Sequence, residues 1–371
     1  MTSKDETVIE KRLLLGPGPS NPSPNVLQAL TRPMLGHLDP RFLEIFDVCK
    51  DRLRQVFRTE NELTFPVSGT GTSGMEMLMN NFLEAGDEAL IAVGGFFGGR
   101  MADFAERIGA KTTRYNYEWG TSINKDEFLG LIEKTKPKFV GIVHAETSTG
   151  VIQHMDEIPA TVHKNGGILC LDCVTSLGTC ELEIDGWDID IAFSCSQKGL
   201  ACPPGLSPIT VSKRAMDRLK KRRTTIPSFY FNLKEILAYI DDSQKRAYHH
   251  TAPISMIYGL HEGLREILEE GLEARWQRHR DNAHYLIKNA TGIDLTPFVK
   301  EEDRLYAVTT FMIPNGVDDQ SVRSQLLNKY GIEIGGGFGK LAEKIWRIGL
   351  MGSNSKKEHV DRLFEALGAI I

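Results

Sequence analysis

Lys198 lies in IAFSCSQKGLACPPG, between an apolar run ending at Ser194–Cys195 and a loop carrying Gly199, Pro203, Pro204 and Gly205. Most lysines are solvated surface charges. One held at the end of an apolar strand can lose its proton and form an imine. Asp172 closes GILCLD, where a buried carboxylate needs a cation or hydrogen-bond donors; read alone, it serves equally as a helix cap or a satisfied core acid. Upstream, FPVSGTGTSGMEMLM sets Gly69, Gly71 and Gly74 between a strand-like and a helix-like run. Small residues there expose N–H groups at a helix N-terminus, which suits a phosphate, and Thr70 and Thr72 add hydroxyls. The same glycines satisfy GxGxxG, but a dinucleotide site wants an acid at the end of the next strand. That strand reads ALIAVGG and has none. A tight strand-to-helix turn is the plainer alternative for the loop.

The elements that must position these residues are legible as periodicity. Short apolar runs at 63–67, 88–93, 112–117, 138–143, 167–172 and 191–195 predict strands. Helix-like runs at 75–83, 101–109 and 126–134 lie between several of them. Such alternation makes βαβ units and a mostly parallel sheet, with ligands at the carboxyl ends of the strands. Phe42, Phe46, Cys49, Leu53 and Phe57 mark one face of a helix over 39–57. Residues 1–12 read as a mobile arm, and the prolines and glycines of LLLGPGPSNPSP argue against regular structure. Beyond 213 the chain turns helical, with a long helix at 253–272. A mixed block follows: helix 273–290, strand 305–313, helix 319–329, strands near 331–334 and 345–350, and helix 356–369. The expected division is an arm (1–20), a large α/β domain (21–270) and a small α+β domain (271–371).

Composition narrows the function. The chain has 371 residues, enough for two or three domains at roughly 150 each. Its net charge of -5 argues against a dedicated nucleic-acid binder. Six cysteines, all between Cys49 and Cys202, are too few for a disulfide scaffold and point to a reducing compartment. With no signal peptide, membrane-length apolar run or C-terminal peroxisomal tripeptide in view, a cytoplasmic location and no membrane partner are expected. Cys170 and Cys173 form CxxC, but a strand sends residues three apart to opposite faces. His249 and His250 are adjacent and point apart, and no cluster has zinc spacing, so no metal is expected. KKRR at 220–223 reads as a solvated helix end, and Trp119 and Trp187 as packing residues. His144 has no evident partner. Arg347 in IWRIGL is either an edge-strand surface charge or an anion ligand.

A phosphate loop, a buried acid and a strand-end lysine, in that order, form the layout needed to hold pyridoxal phosphate. The sequence also resembles the class V (fold type I) aminotransferases, most closely the alanine–glyoxylate, serine–glyoxylate and serine–pyruvate group. The resemblance runs from LLLGPGPSNPSP to RIGLMGSNSKKEHVDRL and includes GTGTSGMEM, ERIGA, HAETSTGV, LDCVTSLG, SQKGLACPPG, YHHTAPI, IEIGGGFG and WRIGLMG. It implies the fold type I architecture, a large domain with a mostly parallel sheet plus a smaller C-terminal domain. By this resemblance Lys198 is the Schiff-base lysine and Asp172 the partner of the pyridine nitrogen. Thr70, Gly71 and Thr72 form the phosphate loop, with Gln197 reaching the phosphate as well. Phe97 stacks on the ring, where close relatives have Trp. Thr147 stands beside the ring oxygen, and Arg347 grips the substrate carboxylate. Tyr248 and Thr251 complete a neighbour's phosphate site, which implies a homodimer with shared active sites. Thr72 replaces a His of the animal alanine–glyoxylate enzymes.

The implied reaction moves an amino group from a small amino acid, alanine or serine, to a 2-oxo acid such as glyoxylate or pyruvate. Aspartate, ureidoglycine and hydroxykynurenine are alternative donors, and PSFYFNL at 227–233 resembles the serine/alanine branch. Class V desulfurases need a mobile cysteine in the C-terminal half, and no Cys follows 202. A cofactor-free binding protein is the alternative from another class; an intact Lys198, Asp172 and Arg347 argue against it.

Overall fold

The computed structural model describes residues 9–241 and 246–371. Residues 1–8 of the expected arm lie outside the described residues. A seven-stranded sheet forms the centre: β1 (Leu63–Ser68), β2 (Glu88–Val93), β3 (Lys111–Asn116), β4 (Phe139–Val143), β5 (Ile168–Asp172), β6 (Ile191–Phe193) and β7 (Leu206–Val211). Their spatial order is β1-β7-β6-β5-β4-β2-β3. Only β7 runs against its neighbours. The parallel strands β2, β4 and β5 are buried along nearly their whole length, as a sheet covered on both faces requires.

The sequence pattern does not flag β7. LSPITV carries Pro208, and a proline argues against a central strand. Here Pro208 lies opposite Pro66 of β1. Its carbonyl accepts from Ser194 N–H at 2.8 Å. The missing proline N–H is made good by the Ser207 hydroxyl, which donates to Ser194 O at 2.6 Å.

The helices that matter to the site are α1 (Pro40–Phe57), α2 (Gly71–Phe82), α3 (Phe96–Ile108), α4 (Ile254–Glu270) and α5 (Leu272–Thr291). Helices α2 and α3 start four and five residues before their apolar runs do, because glycines fill their first turns. At α2 this is a packing requirement. A Cβ on Gly71 would come within 2.8 Å of Val174 Cγ2, and one on Gly74 within 3.0 Å of Phe193 Cβ. Only glycine lets α2 lie this close to the ends of β5 and β6.

Among the described residues two large apolar cores separate along the chain, and a small third cluster gathers Ala145, Cys180, Leu305, Ala307, Val308 and Met351. The larger runs from Val26 to Leu272 and surrounds the big sheet. The second gathers Leu286, Phe311, Trp346, Ile348 and Leu363 around a small antiparallel sheet. That sheet has the order β8 (Val308–Met312), β10 (Ile345–Gly349), β9 (Gly335–Gly336). Leu13 and Leu15 are buried in this second core, and Leu13–Leu14 pairs in parallel with Ile332–Glu333. The start of the proline-rich stretch is thus a short strand fastened to the C-terminal block. Among the described residues no helix is long and apolar enough to cross a membrane.

His279 of α5 ties that helix to the loop that follows β10. Its Nδ1–H donates to Arg275 O at 2.7 Å, and its Nε2 accepts Gly352 N–H at 3.0 Å. Burial holds it neutral and pushes its pKa down to about 3; burial pushes His144 down to about 3 as well. The unfolded chain protonates both near 6.5. The unfolded state therefore binds protons that the folded state refuses, and stability falls as pH drops from about 6.5 toward 3, by roughly 1.4 kcal/mol per pH unit for each group. Thermal unfolding should show a midpoint that declines below pH 6.5, with a shallower decline in His279→Gln. An identical slope in the two proteins would count against this role.

Candidate active site

A cavity of about 290 Å³ opens at the carboxyl ends of the parallel strands. Thr70, Gly71, Thr72, Phe97, Thr147, Asp172, Gln197 and Lys198 all line it. Each ends a strand, sits a few residues beyond one or starts the helix that follows, where a parallel sheet presents its ligands. The Thr70 side chain does not cap α2. The N-terminal end of that helix therefore faces the cavity with two hydroxyls beside it, an arrangement suited to an anion.

Asp172 is the last residue of β5 and only 4% exposed. One of its oxygens accepts Val174 N–H at 2.8 Å. Burial nevertheless pushes its pKa up to about 7. A carboxylate held this way is short of a cation. Lys198 is shifted downward, chiefly by burial, with the charge of Arg347 acting in the same direction; Cys195 and Asp172 oppose the shift. An amine so placed is ready to give up its proton. Its Nζ donates to the Pro17 carbonyl. The loop behind it is held by Arg275, whose Nε and Nη2 donate to Gly178 O (2.9 Å) and Gly199 O (2.8 Å).

Three residues that the sequence does not single out support the site, and of these Arg100 lines the cavity itself. Glu146, wholly buried, accepts from Phe97 N–H at 3.1 Å, Gly98 N–H at 3.3 Å, and both Ser148 N–H (3.0 Å) and its hydroxyl (2.6 Å). Ser148 Oγ in turn accepts Phe96 N–H at 2.9 Å. This carboxylate caps α3 and so sets where Phe97 stands; an acid at a helix N-terminus is favourably placed. Arg100, one turn along α3, lies over the Phe97 ring at 5.0 Å and reaches Thr72 Oγ1 at 3.3 Å. It brings a positive charge to the cavity that Asp172 feels. The third is Pro17. An acid flanked by hydroxyls in AETS was the available signal for Glu146; nothing local marks Arg100 or Pro17.

Arg347 is on β10, the middle strand of the small sheet, and is 4% exposed. The edge-strand alternative is therefore excluded. Its Nε donates to Gly336 O (2.6 Å) and its Nη1 to Thr147 O (3.3 Å). The face of Phe338 lies 4.1 Å from its guanidinium carbon. Burial pushes its pKa down to about 10. No carboxylate pairs with it among the described residues, so a charged, partly desolvated guanidinium is left for an incoming anion. Trp346, its neighbour, points the other way and donates to Asp319 Oδ1 at 2.8 Å.

Tyr248 and Thr251 do not line this cavity; both are exposed, and the Tyr248 ring lies 5.1 Å from His37. The two adjacent histidines contact each other, Nδ1 to Nδ1 at 2.7 Å, and His250 reaches Ser68 Oγ at 3.2 Å. KKRR is not wholly a solvated face. Arg222 turns inward and donates to Asn81 O (3.1 Å) and Leu83 O (2.7 Å), closing the end of α2. Cys170 and Cys173 are buried free thiols. His144 packs edge-on to Trp187, centroids 5.3 Å apart, with its Nδ1 unpartnered among the described residues.

The cavity suits a planar ring that carries a phosphate and a basic nitrogen. No ion pair reaches Asp172 among the described residues, the buried Oε1 of Gln197 has no hydrogen-bond partner among them either, and Phe97 offers an aromatic wall. The model of the aminotransferase class-V family matches residues 21–363. The chain is 40% identical to the alanine–glyoxylate aminotransferase of Callithrix jacchus over 97% of its length and 87% of that protein. It is 36% identical to the (S)-ureidoglycine–glyoxylate transaminase of Bacillus subtilis over 100% of its length and 93% of that protein. Its fold is similar to the crystal structure of alanine–glyoxylate aminotransferase from Nostoc sp., with a TM-score of 0.96, 46% identity, and coverage of 98% of this chain and 96% of that one. A strand-end lysine, a buried acid short of a cation and a helix N-terminus around one cavity are what pyridoxal 5′-phosphate requires, and the chain belongs to the class-V aminotransferases, which depend on that cofactor.

Proposed function

We propose that the protein transfers the amino group of alanine or serine to glyoxylate or pyruvate through Lys198. The observation that carries this reading is the convergence of the Lys198 amine, the cation-poor Asp172 and the α2 N-terminus on one cavity. The relatives named for glyoxylate support the acceptor. In this reading Thr70, Gly71, Thr72 and Gln197 hold the cofactor phosphate, Phe97 stacks on the ring, Thr147 stands beside the ring oxygen, and Asp172 pairs with the ring nitrogen. Bound pyridoxal phosphate supplies an aldehyde for the substrate amine and a ring that takes up the electron pair left when the Cα–H bond breaks. Lys198 holds the cofactor at rest. Once displaced, its Nζ would take up the Cα proton and then give it back, as general base and then acid. Arg347 fixes the substrate carboxylate by a bidentate contact and so sets the direction of the Cα–H bond.

Arg347→Ala should raise KM for amino donor and oxo acid by about 10²-fold, the worth of a charge-assisted pair, with a smaller fall in kcat. Steady-state kinetics that left both constants unchanged would remove Arg347 from the site.

A second donor, (S)-ureidoglycine, is favoured by the Bacillus subtilis relative that matches the whole chain. A screen of alanine, serine, aspartate and ureidoglycine against glyoxylate and pyruvate separates the readings. Arg100, in the wall of the cavity, is a second cation that a dicarboxylate donor could use. We place Tyr248 and Thr251 in a neighbour's phosphate site across a homodimer; their exposure in the single chain fits that use. Sedimentation should give a dimer, and a fully active monomer would contradict the assignment. We also divide the chain into an arm, a large domain ending near 270 and a small domain, a division supported by the two cores. A cytoplasmic home is the reading supported by six buried free thiols.

A further inference from the structure

The segment from Leu13 to Ser20 spans from the second core to the lysine loop. At one end, Leu13 N–H donates to Gly331 O, Leu15 N–H to Glu333 O, and Gly349 N–H to Leu15 O, each at 2.8 Å. At the other, Ser20 N–H donates to Gln197 O at 2.9 Å, and the Ser20 hydroxyl donates to the carbonyl of Lys198 itself at 2.8 Å. Between these anchors, the Pro17 carbonyl receives the Lys198 amine. Gly18 has φ +109°, a conformation L side chains rarely adopt, and a Cβ there would collide with Lys198 Nζ. Glycine is required twice over at this point, once for the turn and once for the amine. Pro17 is itself held from behind, since a Cβ on Gly335 would come within 2.6 Å of its Cδ.

During turnover the lysine leaves the cofactor and must come back. A flexible stem with a free amine would wander, whereas a fixed acceptor beside the cavity keeps it within one motion of the reacting carbon. We propose that the Pro17 carbonyl is the seat to which the Lys198 amine returns, outside its proton transfers, while it is not bonded to the cofactor, and that Ser20 fixes the seat by holding the lysine's own backbone. A carbonyl accepts and never donates, so it steadies the amine most in the protonated state that follows removal of the Cα proton. Pro17 and Ser20 are positioning residues, and the inference rests on Lys198 being the cofactor-bonding lysine.

The full-length holoenzyme tests it. Excess amino donor without oxo acid converts the enzyme to its aminated form, in which Lys198 is free. Trinitrobenzenesulfonate then labels accessible amines, and peptide mass spectrometry reads the rate at Lys198. In Gly18→Ala and Ser20→Ala the labelling rate should rise about tenfold, and the return half-reaction with glyoxylate should slow about tenfold, the worth of a hydrogen bond to a charged group. Ser20→Thr, which keeps the hydroxyl, should behave as the parent. Labelling and half-reaction rates in Ser20→Ala indistinguishable from the parent's would overturn the proposal, and that variant decides alone if Gly18→Ala does not fold. Failure of the underlying reading looks different: Lys198 would label equally before and after donor addition, and Lys198→Ala would still turn over.

Discussion

Lys198→Ala should lose at least about 10⁴-fold in kcat with either half-reaction, because one change removes both the covalent tether and the group that moves the Cα proton. The amine is mostly buried and has no substitute at its post. Asp172, the carboxylate that lines the same cavity, is tied to Val174 N–H and committed elsewhere. The loop should survive the substitution, since its backbone is held by Ser20 and Arg275 rather than by the lysine side chain. The variant is therefore expected to fold, to bind cofactor without a covalent bond, and to be inert. A folded Lys198→Ala that transaminated at the parent's rate would dispose of the lysine assignment.

Asp172→Asn should cost about 10²- to 10³-fold in kcat, the usual loss when one preorganised electrostatic partner is removed from a developing charge. The asparagine keeps an oxygen for Val174 N–H, so the turn after β5 is expected to stand. What disappears is the negative charge. Burial, with the nearby Glu146 carboxylate acting the same way, brings Asp172 up to about 7 against the pull of Val174 N–H, Arg100 and Lys198, so its charge gains from a cation facing it; a protonated ring nitrogen would supply one, and the amide cannot hold that proton in place. Stopped-flow absorbance of the half-reaction with an amino donor isolates the effect, because cofactor loading is complete before mixing. A rate within a few-fold of the parent would detach Asp172 from the ring nitrogen.

The fold and the centre of the site were readable because both depend on short, local patterns. Apolar runs ending at Val67, Asp172 and Cys195 mark strands, and the chemistry sits at those ends or just after them, so Thr70, Asp172 and Lys198 fall at one edge of the sheet on the sequence alone. Glycine blurred the starts of α2 and α3. Pro208 concealed β7, whose missing hydrogen bond is supplied by a neighbouring serine hydroxyl, a compensation that no propensity records. Arg347 kept its ambiguity because an edge strand and a middle strand read alike; only the pairing of β10 with both neighbours settles it. Pro17, Ser20 and Glu146 act through backbone groups or at long sequence separation. Proline-rich chain with no periodicity looked like an arm, while its function comes from hydrogen bonds to residues about 180 positions away.

Reduction of the resting holoenzyme with borohydride, followed by peptide mapping, tests the account most directly. The cofactor should be found fixed to the peptide containing SQKGL, on Lys198 alone, with the label lost when an amino donor is added before the reductant. Cofactor trapped on another lysine, or none trapped from an enzyme that is active, would contradict it.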